Sequence, residues 1–285
     1  MRSQRLRSVR TAAVAAALLL GVPTARAALI PSFQATGNLE LGIAAVGLFS
    51  GPTETGTLTL TGLSPGFAPQ QAYLYAIDTN ASGITGTFAG GNLSNPAVFT
   101  DTFNLIQVQT YRWDVTSQIL PGLTQYAFAL GDGATGNGIA TVGLAVVASV
   151  GSGPLRTVTI IDGIQQVGEA GAETESVAFT GLPGGSTSLW VYTAYDDAGD
   201  SNDAASYNGT TVASPIDQNL GVNASLFQIS TTSLAGSNTL SVSTQTDHMA
   251  LVLAATAVVV PEPGTLVLCA AGFVALAAAH RRRSA

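Results

Sequence analysis

Lysine is absent from this sequence, and arginine is confined almost wholly to its two ends. Of ten arginines, five precede residue 27 and three follow residue 280, which leaves Arg112 and Arg156 for everything between. Sixteen carboxylates share residues 28–260 with those two cations, a net charge near −14. A surface of that sign repels phosphate backbones and anionic lipid, which excludes nucleic acid as a partner. It is compatible with divalent cations and with hydrated polysaccharide, and it also keeps an exported protein soluble. Cysteine is nearly absent as well: Cys269 stands alone in an apolar run near the C-terminus. No disulfide framework can form, so stability must come from burial, for which about 230 residues are ample. Histidine is just as scarce. His248 serves the whole central part, and without cysteine a zinc-type site lacks ligands. A Ser-His-Asp arrangement would have to use His248 beside Asp247 at the start of a strand, and none is expected.

What the central part does contain is strand signal. Thr57–Thr61, Ala72–Tyr75, Arg156–Ile160 and Thr239–Ser243 alternate apolar and polar residues at period two. Gly- and Asn-rich turns separate them, and no helical periodicity exceeds two turns between residues 28 and 260. The expected fold class is all-β, built as sandwiches. The two halves also run in parallel. Thr61-Gly62-Leu63 precedes Tyr73-Leu74-Tyr75, as Thr180-Gly181-Leu182 precedes Trp190-Val191-Tyr192. Phe88-Ala89-Gly90 then corresponds to Tyr207-Asn208-Gly209, and the segment Trp113 to Phe128 to Phe227 through Val242. Each half closes on an apolar strand, Val142–Val150 and Ala250–Val260. Two tandem related β-sandwiches, residues 28–152 and 153–260, are expected, with Gly151-Ser152-Gly153-Pro154 as the hinge. The rival arrangement is one large sandwich whose sheets mix strands of both halves.

The termini read as export signals. Arg2, Arg5, Arg7 and Arg10 precede the short apolar core Ala12–Leu20, and Ala25-Arg26-Ala27 fits a small-x-small cleavage rule. Residues 1–27 are therefore expected to be a signal peptide cut after Ala27. At the other end, Val260-Pro261-Glu262-Pro263-Gly264 leads into an apolar stretch, Thr265–Ala279, and then His280-Arg281-Arg282-Arg283. The prolines keep the junction extended. As a helix the apolar stretch covers only about 22 Å, short of a hydrocarbon core, which suits a temporary transmembrane anchor. Arg281, Arg282 and Arg283 would retain the C-terminus on the cytoplasmic side. Residues 261–285 resemble the PEP-CTERM sorting signal of Gram-negative bacteria, with Pro261, Glu262 and Pro263 matching its namesake motif. The resemblance implies recognition by an exosortase-type membrane protease-transpeptidase and an exopolysaccharide-producing cell. It also implies an inner-membrane-anchored precursor that ends at the cell surface or in the extracellular matrix.

Sites of chemistry are few. Gly131-Asp132-Gly133-Ala134-Thr135-Gly136 fits a dinucleotide glycine pattern, but a strand follows it, so a hairpin loop is expected. Asp114-Val115-Thr116 resembles a short signature of exported bacterial β-sandwich proteins that enters one helical turn, with Asp114 as its cap through Ile119. Asp196, Asp197, Asp200 and Asp203 gather hard oxygens on one loop, a candidate calcium site, although the spacing misses the EF-hand pattern and the matching loop Asp78–Ser82 is less acidic. Tyr195 and Tyr207 flank that loop and are the expected exposed pair for stacking a sugar. Other aromatics, Trp113, Trp190 and Tyr192, fit core positions. The expectation that follows is a non-enzymatic, exported structural or adhesive protein of a polysaccharide matrix. Calcium-dependent carbohydrate binding is the alternative, and a secreted polysaccharide hydrolase a more distant one.

Overall fold

The computed structural model describes residues 28–79, 83–103, 106–133, 138–168, 173–195, 203–216, 220, 224–245 and 248–261. The expected signal peptide, the tail beyond Pro261, and Asp196, Asp197 and Asp200 lie outside the described residues.

Within them the chain forms strands almost throughout. The first nine are β1 (Ile30–Gly37), β2 (Leu39–Gly51), β3 (Thr53–Thr59), β4 (Ala68–Thr79), β5 (Thr85–Phe88), β6 (Gly91–Asn92), β7 (Ala97–Phe103), β8 (Ile106–Asp114) and β9 (Gln125–Gly131). There follow β10 (Ile139–Ser149), β11 (Arg156–Val167), β12 (Glu173–Leu182), β13 (Gly185–Ala194), β14 (Ala204–Tyr207), β15 (Thr210–Ala213), β16 (Ala224–Ser233), β17 (Gly236–Thr244) and β18 (Met249–Val259). They pair antiparallel in four sheets. Two are inner sheets, ordered β2-β10-β4-β8-β7 and β1-β11-β18-β13-β16. Two are outer sheets, ordered β3-β9-β5-β6 and β12-β17-β14-β15.

Alternation in the outer strands shows why they form. In β9, Tyr126, Phe128 and Leu130 point inward while Gln125, Ala127 and Ala129 face water. The inward row meets Leu74, Trp113 and Leu144 of the first inner sheet, forming one core. Phe179, Leu240 and Val242 of the second outer sheet meet Val191, Leu251 and Ala254 in another. A third core lies between the two inner sheets, where Leu41, Tyr75 and Val147 pack against Val158, Tyr192 and Val252. The molecule is thus four sheets deep with three cores, and its inner sheets are covered on both faces. That explains the uninterrupted apolar runs of β10 and β18, which are buried from end to end apart from a last residue. A strand with two dry faces has no reason to alternate.

The strand orders of the two halves match position by position. β2, β10, β4 and β8 occupy the places of β11, β18, β13 and β16, and the outer sheets follow the same order. Leu74 pairs with Leu144 and Trp113, and its counterpart Val191 pairs with Ala254 and Phe227. Both are fully buried. The Ala89-Gly90 turn, with φ of 49° and 82°, is repeated at Asn208-Gly209 with 51° and 77°. Asparagine and glycine adopt that left-handed pair with little strain, which is why Asn-Gly marks such hairpins.

Two features depart from the sequence reading. Strand β1 belongs by position to the 28–152 segment, yet it pairs with β11 along the edge of the other inner sheet. The strands on either side of Gly131-Asp132-Gly133 are not hairpin partners, because β9 lies in an outer sheet and β10 in an inner one; Ala134, Thr135 and Gly136 lie outside the described residues.

Candidate functional site

Three places carry polar chemistry, and the first lies between the inner sheets. Asp162 has the same strand parity as Val158 and Ile160, so it faces the opposite sheet across the dry core. Arg112 Nη1 reaches its Oδ1 at 2.6 Å, Tyr75 Oη donates to Oδ2 at 2.6 Å, and Ser32 Oγ donates to Oδ2 at 2.9 Å. The guanidinium also sits over the rings of Tyr73 and Phe99, 4.8 and 5.1 Å from their centroids. Burial outweighs the hydrogen bond from Tyr75 and the charge of Arg112, and it holds the Asp162 carboxyl above the usual range. Burial and the neighbouring Asp162 charge push the Tyr75 hydroxyl well up. Arg156, the other central arginine, donates Nη1 to Leu39 O at 3.0 Å, again from one inner sheet to the other half. Asp101 of β7 accepts the buried Gln166 N–H of β11 at 2.9 Å. The scarce cations therefore join the halves, and Arg156 also lines a small polar cleft with Glu40, Ser188, Trp190 and Gln228.

The second place is the end of the first sandwich where β4 finishes. Asp78 is a strand residue, not a loop residue as the sequence suggested; it pairs with Ile139 and Gln109 on either side. It is fully buried, and neither carboxylate oxygen has a hydrogen-bonding partner in good geometry. The Thr79 backbone N–H alone pulls weakly on its charge. Asp132, which follows β9 in the outer sheet, is buried too, its N–H bonded to Pro52 O at 2.9 Å. Burial, with the nearby charge of Asp132, pushes the Asp78 carboxyl up to about 6. Burial likewise raises the hydroxyl of Tyr111 beside this pair, where it donates to Gln109 Oε1 at 2.6 Å. Tyr195 approaches from the other half. Its φ is 56°, uncommon for a bulky residue, and its hydroxyl is buried beside Thr79 and Asp78.

The third is a surface cleft of about 440 Å³ at the β8–β9 connection. Ser117, Gln118 and Gln125 supply polar groups, and Leu120 and Leu123 supply exposed apolar ones. The volume falls in the range of small-ligand sites. Asp114 is not the cap expected from sequence, since Val115 holds the N-cap position of the 3₁₀ turn Thr116–Gln118; its Oδ1 accepts the Thr116 N–H at 3.0 Å and the Thr116 hydroxyl at 2.6 Å, which ties down the residue that opens the turn.

The aromatic pair expected from sequence does not form a platform. Tyr207 is buried in the second core, edge-on to Phe179, with its hydroxyl 2.8 Å from Ser233 Oγ. Tyr195 turns its hydroxyl inward. Asp203 is fully buried at the foot of β14, its carbonyl accepting the Ile216 N–H, so it is not a solvated loop carboxylate. Trp113, Trp190 and Tyr192 are core residues, as their alternation suggested. His248 Nε2 lies 2.8 Å from Gln166 Oε1. No group of three or more His, Cys, Asp or Glu side chains is placed to hold a metal among the described residues. Among those residues, too, no helix is long and apolar enough to cross a membrane.

No protein-family model and no curated protein matches this sequence. Among solved structures, a β-porphyranase of glycoside hydrolase family 86 from the human gut bacterium Bacteroides plebeius is similar over 72% of this chain. The identity is 13% and the TM-score 0.29. An α-xylosidase of glycoside hydrolase family 31 from Xanthomonas citri is similar over 82% of it, at 9% identity and a TM-score of 0.19. The chain spans 38% and 28% of those two proteins. At such scores the hydrolases' activities are theirs alone.

Proposed function

We propose that this is an exported, non-enzymatic protein of the cell surface or extracellular matrix, delivered through a C-terminal PEP-CTERM-type signal and processed by an exosortase-type enzyme. The observation that carries the reading is the junction between fold and tail. β18 is a central, buried strand that ends at Val259, and the Val260 N–H closes on Leu155 O at 2.8 Å. Pro261 follows at once and is exposed. A cut at Pro261-Glu262-Pro263 would remove the tail without touching a strand or a core residue. Repeated strand orders and matching turns support descent of the two sandwiches from one duplicated unit. A deep, strand-rich body with three cores suits a structural or adhesive part in a polysaccharide matrix. Changing Pro261, Glu262 and Pro263 together to alanine tests the reading in the native cell. The expected result is a membrane-held precursor in fractionated cells, and normal delivery of the variant would contradict it.

The cleft favours a second reading, carbohydrate binding, which the acidic loop would make calcium-dependent. Its amide side chains beside two leucines suit a sugar's hydroxyls and its apolar ring face. Glycan-array binding that needs calcium and is lost in Gln125→Ala would establish it.

A further inference from the structure

The joint between the halves holds a cleft of about 200 Å³, lined from the first half by Glu40 and Gly62 and from the second by Arg156, Ser188, Trp190 and Gln228. Strand pairing explains its floor. Trp190 lies opposite Gln228 and Ala255, and Ser188 opposite Ala257, so these side chains share the face of the inner sheet that looks toward the first half. Arg156 has the parity of Val158 and Ile160 and stands on the same face. The cleft carries two opposite charges that are not joined. The Glu40 oxygens accept the Ser64 N–H at 2.6 Å and the Ser64 hydroxyl at 2.7 Å, and Arg156 donates to Leu39 O. Among the described residues no ion pair links Glu40 to Arg156, and none of those residues bonds the Ser188 hydroxyl or the Gln228 amide. A guanidinium has about five N–H donors and a carboxylate about four lone-pair sites, so both keep unused capacity.

We propose that this cleft binds a single neutral sugar unit, held between the Glu40 carboxylate and the Arg156 guanidinium. A sugar hydroxyl both donates and accepts, so one hydroxyl can donate to Glu40 while its neighbour accepts from Arg156. A ligand with net charge would meet a like charge at close range, which a neutral one does not. Ser188 and Gln228 add groups of both kinds, and Trp190, 5% exposed, adds a strip of apolar ring. The volume lies below the roughly 300–1,000 Å³ of drug-sized sites, which fits one ring rather than a chain. Because both halves line the cleft, a bound sugar would bridge them. The site deepens the carbohydrate reading at a different place, and it needs neither calcium nor the β8–β9 cleft.

The chain has two tryptophans, Trp113 and Trp190, so a nitrogen-labelled protein gives two indole N–H signals, assigned through Trp190→Phe. Residues 28–260, which contain β1–β18 and all three cores, are titrated with D-glucose, D-galactose and D-mannose in chelator. At least one sugar should move the Trp190 signal saturably, with a dissociation constant on the order of 10⁻³ M, and leave Trp113 in place. Gln228→Ala and Ser188→Ala should each weaken its binding about fivefold, the loss of one hydrogen bond. Neither residue is buried, so both variants should melt within about 2 °C of the unchanged protein. At about pH 6 the matching uronate and amino sugar, one anionic and one cationic, should bind more weakly than the neutral sugar. A Trp190 signal that none of the three sugars moves would overturn the proposal, as would an affinity unchanged in both variants. Tighter binding of the uronate or the amino sugar would overturn the assignment to a neutral unit. A sugar that moves the Gln118 and Gln125 amides alone would be held in the β8–β9 cleft, which removes this site and leaves carbohydrate binding itself standing.

Discussion

Replacing Arg112 by methionine keeps most of the side chain's reach and removes its charge. The consequence follows from what stays behind. Asp162 is fully buried, and Arg112 is the one cation bound to it. Breaking a buried pair by removing one partner costs about 3–5 kcal/mol, because the other charge is left uncompensated. Asp162 keeps its bonds from Tyr75 and Ser32 and can take up a proton, so the lower end, about 3 kcal/mol, is expected. For a domain of this size each kcal/mol moves the melting temperature by about 2–4 °C, so the drop should be about 6–12 °C. The pH dependence has a definite sign. The Asp162 carboxyl is raised in the folded state, chiefly by burial, and Arg112 is among the groups that hold it down. Without Arg112 it rises further, so the folded variant takes up a proton more readily than the unfolded chain. Its deficit against the unchanged protein should shrink as pH falls from 7 toward the raised pKa. Melts of residues 28–260 at pH 7 and pH 5 measure this. The double change Arg112→Met, Asp162→Asn removes both charges and should recover more than half of the loss. Equal melting of Arg112→Met and the unchanged protein at pH 7 would refute the reasoning. So would a double variant no more stable than the single one.

Gly143→Val should destabilise by about 1–3 kcal/mol, since a Cβ at Gly143 would stand 2.7 Å from Cε1 of Tyr192 between the inner sheets; urea unfolding reads it. Ala89→Asn puts the second half's turn residue into the first half's left-handed position, and it should raise the melting temperature slightly where Ala89→Val lowers it. Asp114→Ala should cost about 1 kcal/mol at pH 7 by removing the acceptor of the Thr116 N–H and hydroxyl. Burial opposes ionisation of Asp114, but the bonds from Thr116 and Gln71 prevail and lower its pKa. That contribution is therefore present above the ordinary carboxylate pKa and fades as pH falls, so the variant's deficit should vanish in acid.

Much of the fold was legible because it is local. Period-two alternation marked β3, β4, β11 and β17, and the paired segments around Leu74 and Val191 marked the repeated order. The uninterrupted runs of β10 and β18 also carried a message, burial on both faces, which distinguishes four layers from two separate sandwiches. The pairing of β1 with β11 was not legible. Those strands lie more than a hundred residues apart, and β1 itself is only half-buried, so nothing in its own sequence selects its neighbour. Tyr207 was misjudged although the repeat contained the answer. Its counterpart Phe88 has no polar atom to show to solvent, and both rings are core. Arg112 and Arg156 could have been singled out by rarity: in a segment with two cations, both hold the halves together. Asp78 had its own signal, a carboxylate closing the apolar run Ala72–Ile77, but strand and loop could not be separated there without the register.

The central claim is that the tail is an address removed on delivery. Intact-mass analysis of the protein extracted from the surface of the native cell tests it most directly. A species beginning at Ala28 and ending near Pro261–Gly264 is the predicted result. A mature product that retains Arg281, Arg282 and Arg283 would contradict it.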